Sequence, residues 1–407
     1  MRWLRRIGVI GLYLLIPGLS AVTPLLVLPA LTTAYGAVGL TVFGVAQSLG
    51  GTAAIMADLG WGVLGPQKVA HSTNEKRSSL YVSAAATRLS ALALLAPVAA
   101  LASFLIVDGD KGAAAVIALG FSAAALSPSW YLIGCNRPLT ILWVEGLPKI
   151  VAAAVCAVAY LQGAPLFIYG LALVAAAILT WTLSAFATGN GFWPGRGEFK
   201  RGASVMREHF PLTIGRTIGA VYTTLPIAIV AVAAPSAAPL FTAVERLMRM
   251  ALSLLGGFPS RLQSWVGADR ENNVKRSRQS LLLNCGLGVF AGVGFAFLAP
   301  WVADFVFSGV VDVPLELTAI AGAVILTICA SRGLGLSMVA EKKGNWIALA
   351  NIAAAAVGVP AVFFFSGVIG AKGALFGELL AEFIGLVVQG VILFGGLSRI
   401  RWRRGNR

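Results

Sequence analysis

Three charges stand inside an otherwise apolar run, "LFTAVERLMRMALSLLGG", from Leu240 to Gly257: Glu245, Arg246 and Arg249. Guanidinium groups are planar, always charged and carry donors in a fork that fits phosphate or carboxylate oxygens, so two of them on one helical face are suited to holding an anion. A carboxylate one turn before Arg249 is equally suited to neutralising it. A second apolar run carries the opposite sign. There Glu378, Glu382, Gly385 and Gln389 recur at i, i+4, i+7 and i+11, on one face of a helix. Carboxylates so placed take up a proton or a metal cation, or else pair with the arginines. A third group joins Gln47, Gly51, Ala54 and Asp58 on one face, with Arg88 at similar depth on the next run. A fourth is Glu145 and Lys149, an i, i+4 pair with the acid first, which is the favourable order for a local salt bridge.

These side chains need elements to hold them. Of 407 residues, 58% are hydrophobic and 12% charged, whereas an ordinary soluble domain has about 25% charged residues. Apolar runs of roughly 20 residues or more, each able to cross about 30 Å of hydrocarbon, recur from end to end. They predict about twelve transmembrane helices, over 7–34, 40–66, 80–107, 112–134, 140–161, 165–187, 210–233, 237–264, 280–308, 315–338, 346–366 and 371–397. Period-two alternation is absent, and only helices or closed barrels satisfy the backbone in lipid, so the fold class is an all-α polytopic membrane protein. The longest polar break divides it into an N-terminal six-helix lobe at 1–190, a cytoplasmic linker at 191–209, a C-terminal six-helix lobe at 210–397 and a basic cytoplasmic tail at 398–407. An echo between "FGVAQSL" from Phe43 and "FTAVERL" from Phe241 supports a repeat, and parallel repeats of this kind enclose a central cavity.

The formal charge is +15, and its placement decides its meaning. Cations gather at every second boundary: Arg5 and Arg6, Lys76 and Arg77, Arg137, Lys200 and Arg201, Lys275 and Arg276, Lys342 and Lys343, and the tail "RIRWRRGNR". The loops between contribute only Lys111 and Lys372. This positive-inside pattern predicts a multi-pass protein of the plasma or inner membrane with both termini cytoplasmic. No basic segment is interleaved with base-stacking aromatics, so nucleic acid is not the expected partner; membrane lipids are. The opening "MRWLRR" introduces a run too long for a signal peptide and reads as an uncleaved first span. Cys135, Cys156, Cys285 and Cys329 lack metal-ligand spacing, and His71 and His209 fall in loops. No metal site, cofactor or acid–base constellation is expected, and therefore no enzyme.

A charge at a helix centre costs about 2.5–3.5 kcal/mol to insert, so the three charges of the eighth span would cost roughly 8–10 kcal/mol facing lipid. At helical spacing Thr242, Glu245, Arg246, Arg249, Ser253 and Gly256 form one stripe, which must meet protein or water. Arg246 and Arg249 are the candidates for contacting an anion. Counted by depth, Glu378 lies level with Glu245, and Glu382 lies near Arg249. These acids are either structural partners of the arginines or a site for H⁺ or Na⁺. Asp58 with Arg88, and Glu145 with Lys149, read first as structural pairs. Arg216, Arg261 and Arg332 lie near the cytoplasmic interface, where long side chains snorkel.

The segment "LPALTTAYGAVGLTVFGVAQSLGGTAAIMADLGWGVLGPQKVA" resembles the first two spans and cytoplasmic loop of Wzx-type oligosaccharide flippases, within the superfamily that includes MATE drug exporters. The resemblance rests on Pro29, the Tyr35–Gly36 turn, Phe43–Gly44, and Asp58 with Gly60 before Pro66. "SPSWYLIGCNRP" is similar to the end of that family's fourth span through Trp130, Gly134 and Arg137, and "FTAVERLMR" to its eighth. The chain departs from the pattern at Ile133 and Asn136, where members carry Gln and an acid, so no role transfers to those positions. The resemblance implies transfer of a polyprenyl-pyrophosphate-linked oligosaccharide from the inner to the outer leaflet by alternating access, for cell-surface polysaccharide biosynthesis. Arg246 and Arg249, joined by Lys149 and Arg88, would then hold the phosphates. Glu378 and Glu382, with Glu245 and Asp58 as further candidates, would take up H⁺ or Na⁺. A polysaccharide polymerase and glycosyltransferases would be partners. The alternatives are a MATE-like cation-coupled drug exporter and, further off, a membrane-embedded polymerase or ligase.

Overall fold

Runs of Ala, Leu, Val and Ile without water close their backbone hydrogen bonds as helices. The computed structural model describes residues 2–189, 193–195, 197–199, 217–219, 221–256, 273–341, 343 and 346–405, and among them all regular structure is helical. The two longest elements are α1 (Arg2–Ala57) and the last helix, α13 (Ile347–Gly405). The 48 residues Ile347–Phe394 would reach about 72 Å if straight, more than twice the hydrocarbon thickness. They reverse instead at Gly370 (φ 63°, ψ −139°). A Cβ on Gly373 would collide with the Phe365 carbonyl, one on Gly377 would stand 2.6 Å from the Val362 nitrogen, and one on Gly358 would collide with Ala381. Contacts spreading symmetrically from Gly370 are those of an antiparallel hairpin, zipped by small residues. Within α1 the same left-handed break occurs at Gly36 (φ 61°, ψ −153°), a conformation that only glycine adopts cheaply.

Among the described residues, eight helices are long and apolar enough to cross a membrane. Two of them hold two crossings each, and α9 (Pro226–Ala233) with α10 (Ala238–Leu254) supplies the seventh, described in part, and the eighth. Among the described residues this is approximately consistent with the expected twelve. Large side chains on α11 (Asn273–Val306) face outward, with Phe290 80%, Trp301 81% and Phe305 83% exposed. Such a surface belongs in lipid rather than water.

Three spans expected to be continuous are broken. Leu59 (φ 50°) and Gly60 (φ 79°) separate α1 from α2 (Trp61–Ala70), and the Asp58 carboxylate accepts the Gly62 N–H at 2.9 Å, occupying an otherwise orphaned donor of the new helix. After α3 (Asn74–Ile106), α4 (Lys111–Ser122) runs through a 3₁₀ turn to Ser127 and Pro128, where the chain restarts as α5 (Ser129–Gly134). The short α6 (Pro138–Ile141) passes into a single π-turn, Leu142–Gly146, before α7 (Leu147–Leu161). Pro148 explains that turn: it has no N–H for the carbonyl four residues earlier and its ring crowds that carbonyl. α8 (Ile168–Thr188) follows.

The chain divides into two compact units, Met1–Ala228 and Ile229–Arg407. The linker expected at 191–209 lies largely outside the described residues, as do His209, Arg216 and Arg261. The first unit reaches past position 210, and Thr224 in that stretch bonds to α1. Ser48 Oγ donates to the Thr224 carbonyl, and the Thr52 and Thr224 hydroxyls meet at 2.5 Å. In the second unit α10, α11, α12 (Leu315–Ala340) and α13 pack together, and the Gly292 and Gly322 backbones touch between α11 and α12.

Candidate functional site

In the second unit α10 holds the charged stripe. Pro239 lies in its first turn, where a missing N–H costs nothing. Phe241, Val244 and Met248 are fully buried, and so is Thr242, so the first half of the helix is enclosed by protein on the apolar and the polar side alike. Glu245 is 3% exposed and Arg246 6%. Arg249 Nε donates to Glu245 Oε1 at 2.6 Å, the i, i+4 pair that the spacing suggests. Its Nη2 stands 3.7 Å from Glu378 Oε1 on α13, and Glu382, one turn further on, adds to the field at Arg249. The Arg249 side chain is 32% exposed, so the ion pair has one wet side.

Glu378 and Glu382 are buried beside Arg249. Neither oxygen of Glu378 accepts a hydrogen bond from a described residue, and Glu245 on α10 faces the same Arg249 guanidinium. Among the described residues, Arg249 lies in the field of three acids, Glu245, Glu378 and Glu382. The cationic character anticipated for the eighth span is thus offset by α13. Gln389, the last member of the α13 stripe, donates to Ser331 Oγ at 3.0 Å and ties α13 to α12. Arg332 does not snorkel free: its Nη1 reaches the Leu252 carbonyl at 3.4 Å, near the end of α10 where carbonyls lack helical partners.

In the first unit two ion pairs share one loop. Arg88, 4% exposed, is bridged to Asp58, donates from Nη1 to the Ser127 carbonyl at 2.9 Å and lies 5.3 Å from the Trp130 ring centroid. Trp61 packs at 5.1 Å from Trp130 and donates its indole N–H to Thr87 Oγ1 at 3.0 Å, fixing the wall behind the guanidinium. On the other side of the same loop the Ser127 hydroxyl donates to Glu145 Oε2 at 2.7 Å, Ser129 donates to the same oxygen, and Lys149 Nζ reaches Glu145 Oε1 at 2.6 Å. Asp58, Arg88, Ser127, Glu145 and Lys149 therefore form one chain of contacts, anchored on the break in span four and on the π-turn in span five. A cavity of about 320 Å³ opens beside it, lined by Asp58, Arg88, Ser127, Ser129 and Trp130.

Ser127 and Ser129 were not singled out from the sequence. Their signal is the "SPS" triplet, since a proline flanked by hydroxyls inside an apolar run frees backbone groups that the hydroxyls can answer. Arg88 with Lys149 belongs to the first unit, and Arg246 with Arg249 to the second. Among the described residues no group of His, Cys, Asp and Glu is arranged to hold a metal.

The sequence model of the polysaccharide biosynthesis protein family matches residues 9–261. Among curated proteins, none is similar to the chain by sequence. Solved structures share its fold at low identity. An inward-facing multidrug resistance MATE family transporter of the MOP superfamily is 13% identical with TM-score 0.70, covering 95% of this chain and 96% of its own. The lipid II flippase MurJ in an inward closed conformation is 14% identical with TM-score 0.66, covering 94% and 86%. The MATE multidrug transporter DinF-BH in complex with R6G is 14% identical with TM-score 0.64, covering 95% and 94%. With a match over more than half its length and the fold of MOP-superfamily flippases and exporters, this multi-pass membrane chain belongs to the polysaccharide biosynthesis protein family.

Proposed function

We propose that the protein carries a polyprenyl-pyrophosphate-linked oligosaccharide from the cytoplasmic to the outer leaflet of the plasma or inner membrane by alternating access. The observation that carries this reading is the partner set of Arg249. One guanidinium, a third exposed, is held by the buried acids Glu245 and Glu378. A phosphate offers the same fork of oxygens as a carboxylate and can take the place of Glu378. Uptake of H⁺ by the Glu245–Glu378 pair removes the competing charge and frees Arg249, with Arg246 beside it, to hold the anion. Loss of that proton restores the ion pair and expels the cargo. In this scheme Glu378 and Glu245 perform the coupling and Glu382 sets the local field. Arg88 and Lys149 hold the shape of the first unit through Asp58 and Glu145, and the polyprenyl chain stays in lipid. Both termini lie in the cytoplasm, where glycosyltransferases supply the cargo; a polymerase consumes it on the far side.

The experiment is the leaflet distribution of lipid-linked saccharide in cells lacking the gene. The cargo is expected to accumulate on the inner leaflet, and Arg249→Ala to reproduce that at normal protein levels. Undisturbed export with Arg249→Ala removes its assigned role. A MATE-like exporter of cationic drugs is the second reading, favoured by the three carboxylates around Arg249. Drug hypersensitivity with an unchanged polymer profile in the deletion strain would select it.

A further inference from the structure

A second polar cavity, of about 380 Å³, lies at the end of the first unit that carries the basic loops. It is walled by the start of α3, the end of α5 and the end of α8 and is separate from the ion-pair loop. Arg77 and Arg137 both line it, with Asn74, Ser78 and Thr188, and among the described residues no acidic one does. Each arginine is held by neutral acceptors. Arg77 Nε donates to the Val69 carbonyl at 2.9 Å and Nη1 reaches Asn74 Oδ1 at 3.5 Å, while Arg137 Nη1 reaches the Ala187 carbonyl at 3.3 Å. Those carbonyls lie near the ends of α2 and α8 and hold the two guanidiniums in place without cancelling their charge. Among the described residues neither forms an ion pair. Arg137 keeps its Nε and Nη2 edge for another acceptor, the edge that binds phosphate in a fork. The first turn of the 33-residue α3 also begins at this cavity, and its N-cap Thr73 makes no side-chain cap, which leaves backbone N–H donors and the positive end of the helix dipole beside it. Glu75 stands in the same turn but does not line the cavity.

We propose that this cavity binds a phosphate group, using Arg77 and Arg137 as paired clamps and the Ser78 hydroxyl as a further donor. The group comes either from an anionic lipid headgroup of the adjacent leaflet or from a soluble phosphate. Cys135 lines the same cavity and is a partly exposed free thiol, so its alkylation reports occupancy locally.

The test uses the full chain in nanodiscs, with alkylation of Cys135 by iodoacetamide followed by peptide mass spectrometry. One arm adds inorganic phosphate to phosphatidylcholine discs; the other replaces part of the lipid with phosphatidylglycerol and adds no phosphate. A ligand at ten times its Kd is expected to slow Cys135 by about tenfold. Slowing in the first arm assigns a soluble source, slowing in the second a headgroup, and slowing in both the shared chemistry. Arg137→Gln and Arg77→Gln should each abolish most of the protection, whereas Lys76→Gln, which changes the neighbouring charge outside the cavity, should retain it. Cys285 should react at one rate throughout, and unreactive Cys156 and Cys329, both buried, verify that each variant is folded. No protection in either arm overturns the proposal, and so does protection that Lys76→Gln removes as fully as Arg77→Gln, since that describes a diffuse basic surface rather than a site.

Discussion

Removing Arg249 should expose how tightly the acids of the second unit depend on it. At an effective dielectric constant of about 20, the 2.6 Å contact with Glu245 and the 3.7 Å contact with Glu378 correspond to Coulomb terms of about 6 and about 4 kcal/mol. Desolvation of Glu245 and Glu378, 3% and 5% exposed, takes back a large part of both. The one-third exposure of Arg249 lets water screen the remainder. Net coupling energies of about 2–3 kcal/mol for Arg249–Glu245 and about 1 kcal/mol for Arg249–Glu378 follow, within the range measured for contacting charged pairs. Arg249→Ala alone is then expected to destabilise by about 3 kcal/mol, because it leaves buried carboxylates without their cation. The assay is a double-mutant cycle read by SDS-titrated unfolding in mixed micelles, with Arg249→Ala, Glu245→Gln, Glu378→Gln and the two doubles. Each double should be less damaging than the sum of its singles, and more so for Glu245. Strict additivity would mean that Arg249 is not bound to these acids, and both the structural account and the coupling scheme built on it would fail.

Other outcomes follow from the same contacts. Asp58→Ala removes the carboxylate bridged to the 4%-exposed Arg88 and should cost about 3–5 kcal/mol, whereas Glu145→Ala should cost less because Lys149, 28% exposed, can turn to water; the same unfolding titration ranks them. Gly370→Ala forces an L side chain to φ 63° at the last hairpin and should cost about 1–2 kcal/mol, while Ala at Gly294, which has open space around it, should be near neutral. Glu378→Gln removes the group proposed to exchange protons, so transport should lose most of its dependence on an imposed pH gradient; full retention of that dependence would move coupling elsewhere.

Much of this arrangement was legible in the residues. Twelve crossings follow from apolar length alone, because lipid enforces helices wherever a run is long enough. The pairs Glu245–Arg249 and Glu145–Lys149 follow from helical periodicity, which brings i and i+4 together whatever the tertiary context. Asp58–Arg88 required a further step, matching depth across helices, and depth is legible because each residue advances a helix by a fixed rise; the same matching sets Glu382 beside Arg249, whereas the acid that the Arg249 guanidinium reaches on α13 is Glu378, one turn earlier. The breaks were harder to read. Span four stops at Ser127 within residues that are apolar on both sides, and span five winds one turn as a π-helix because of a proline three residues after Glu145. Those irregularities depend on which carbonyls lose their donors, which average hydropathy does not register. For the same reason Ser127 and Ser129 escaped notice although they carry the bonds to Glu145. A stripe read on one helix also looks cationic until α13 is packed against it, because the acid Glu378 that meets Arg249 comes from another element.

The most direct measurement reconstitutes the purified protein in liposomes with a polyprenyl-pyrophosphate-linked saccharide and follows its appearance in the opposite leaflet with an externally added, membrane-impermeant sugar-modifying enzyme. Liposomes holding the intact protein should convert the inner-leaflet fraction faster than protein-free liposomes, and Arg249→Ala should fall to the protein-free rate. Equal conversion with and without the protein, under a pH or sodium gradient of either direction, would contradict the account.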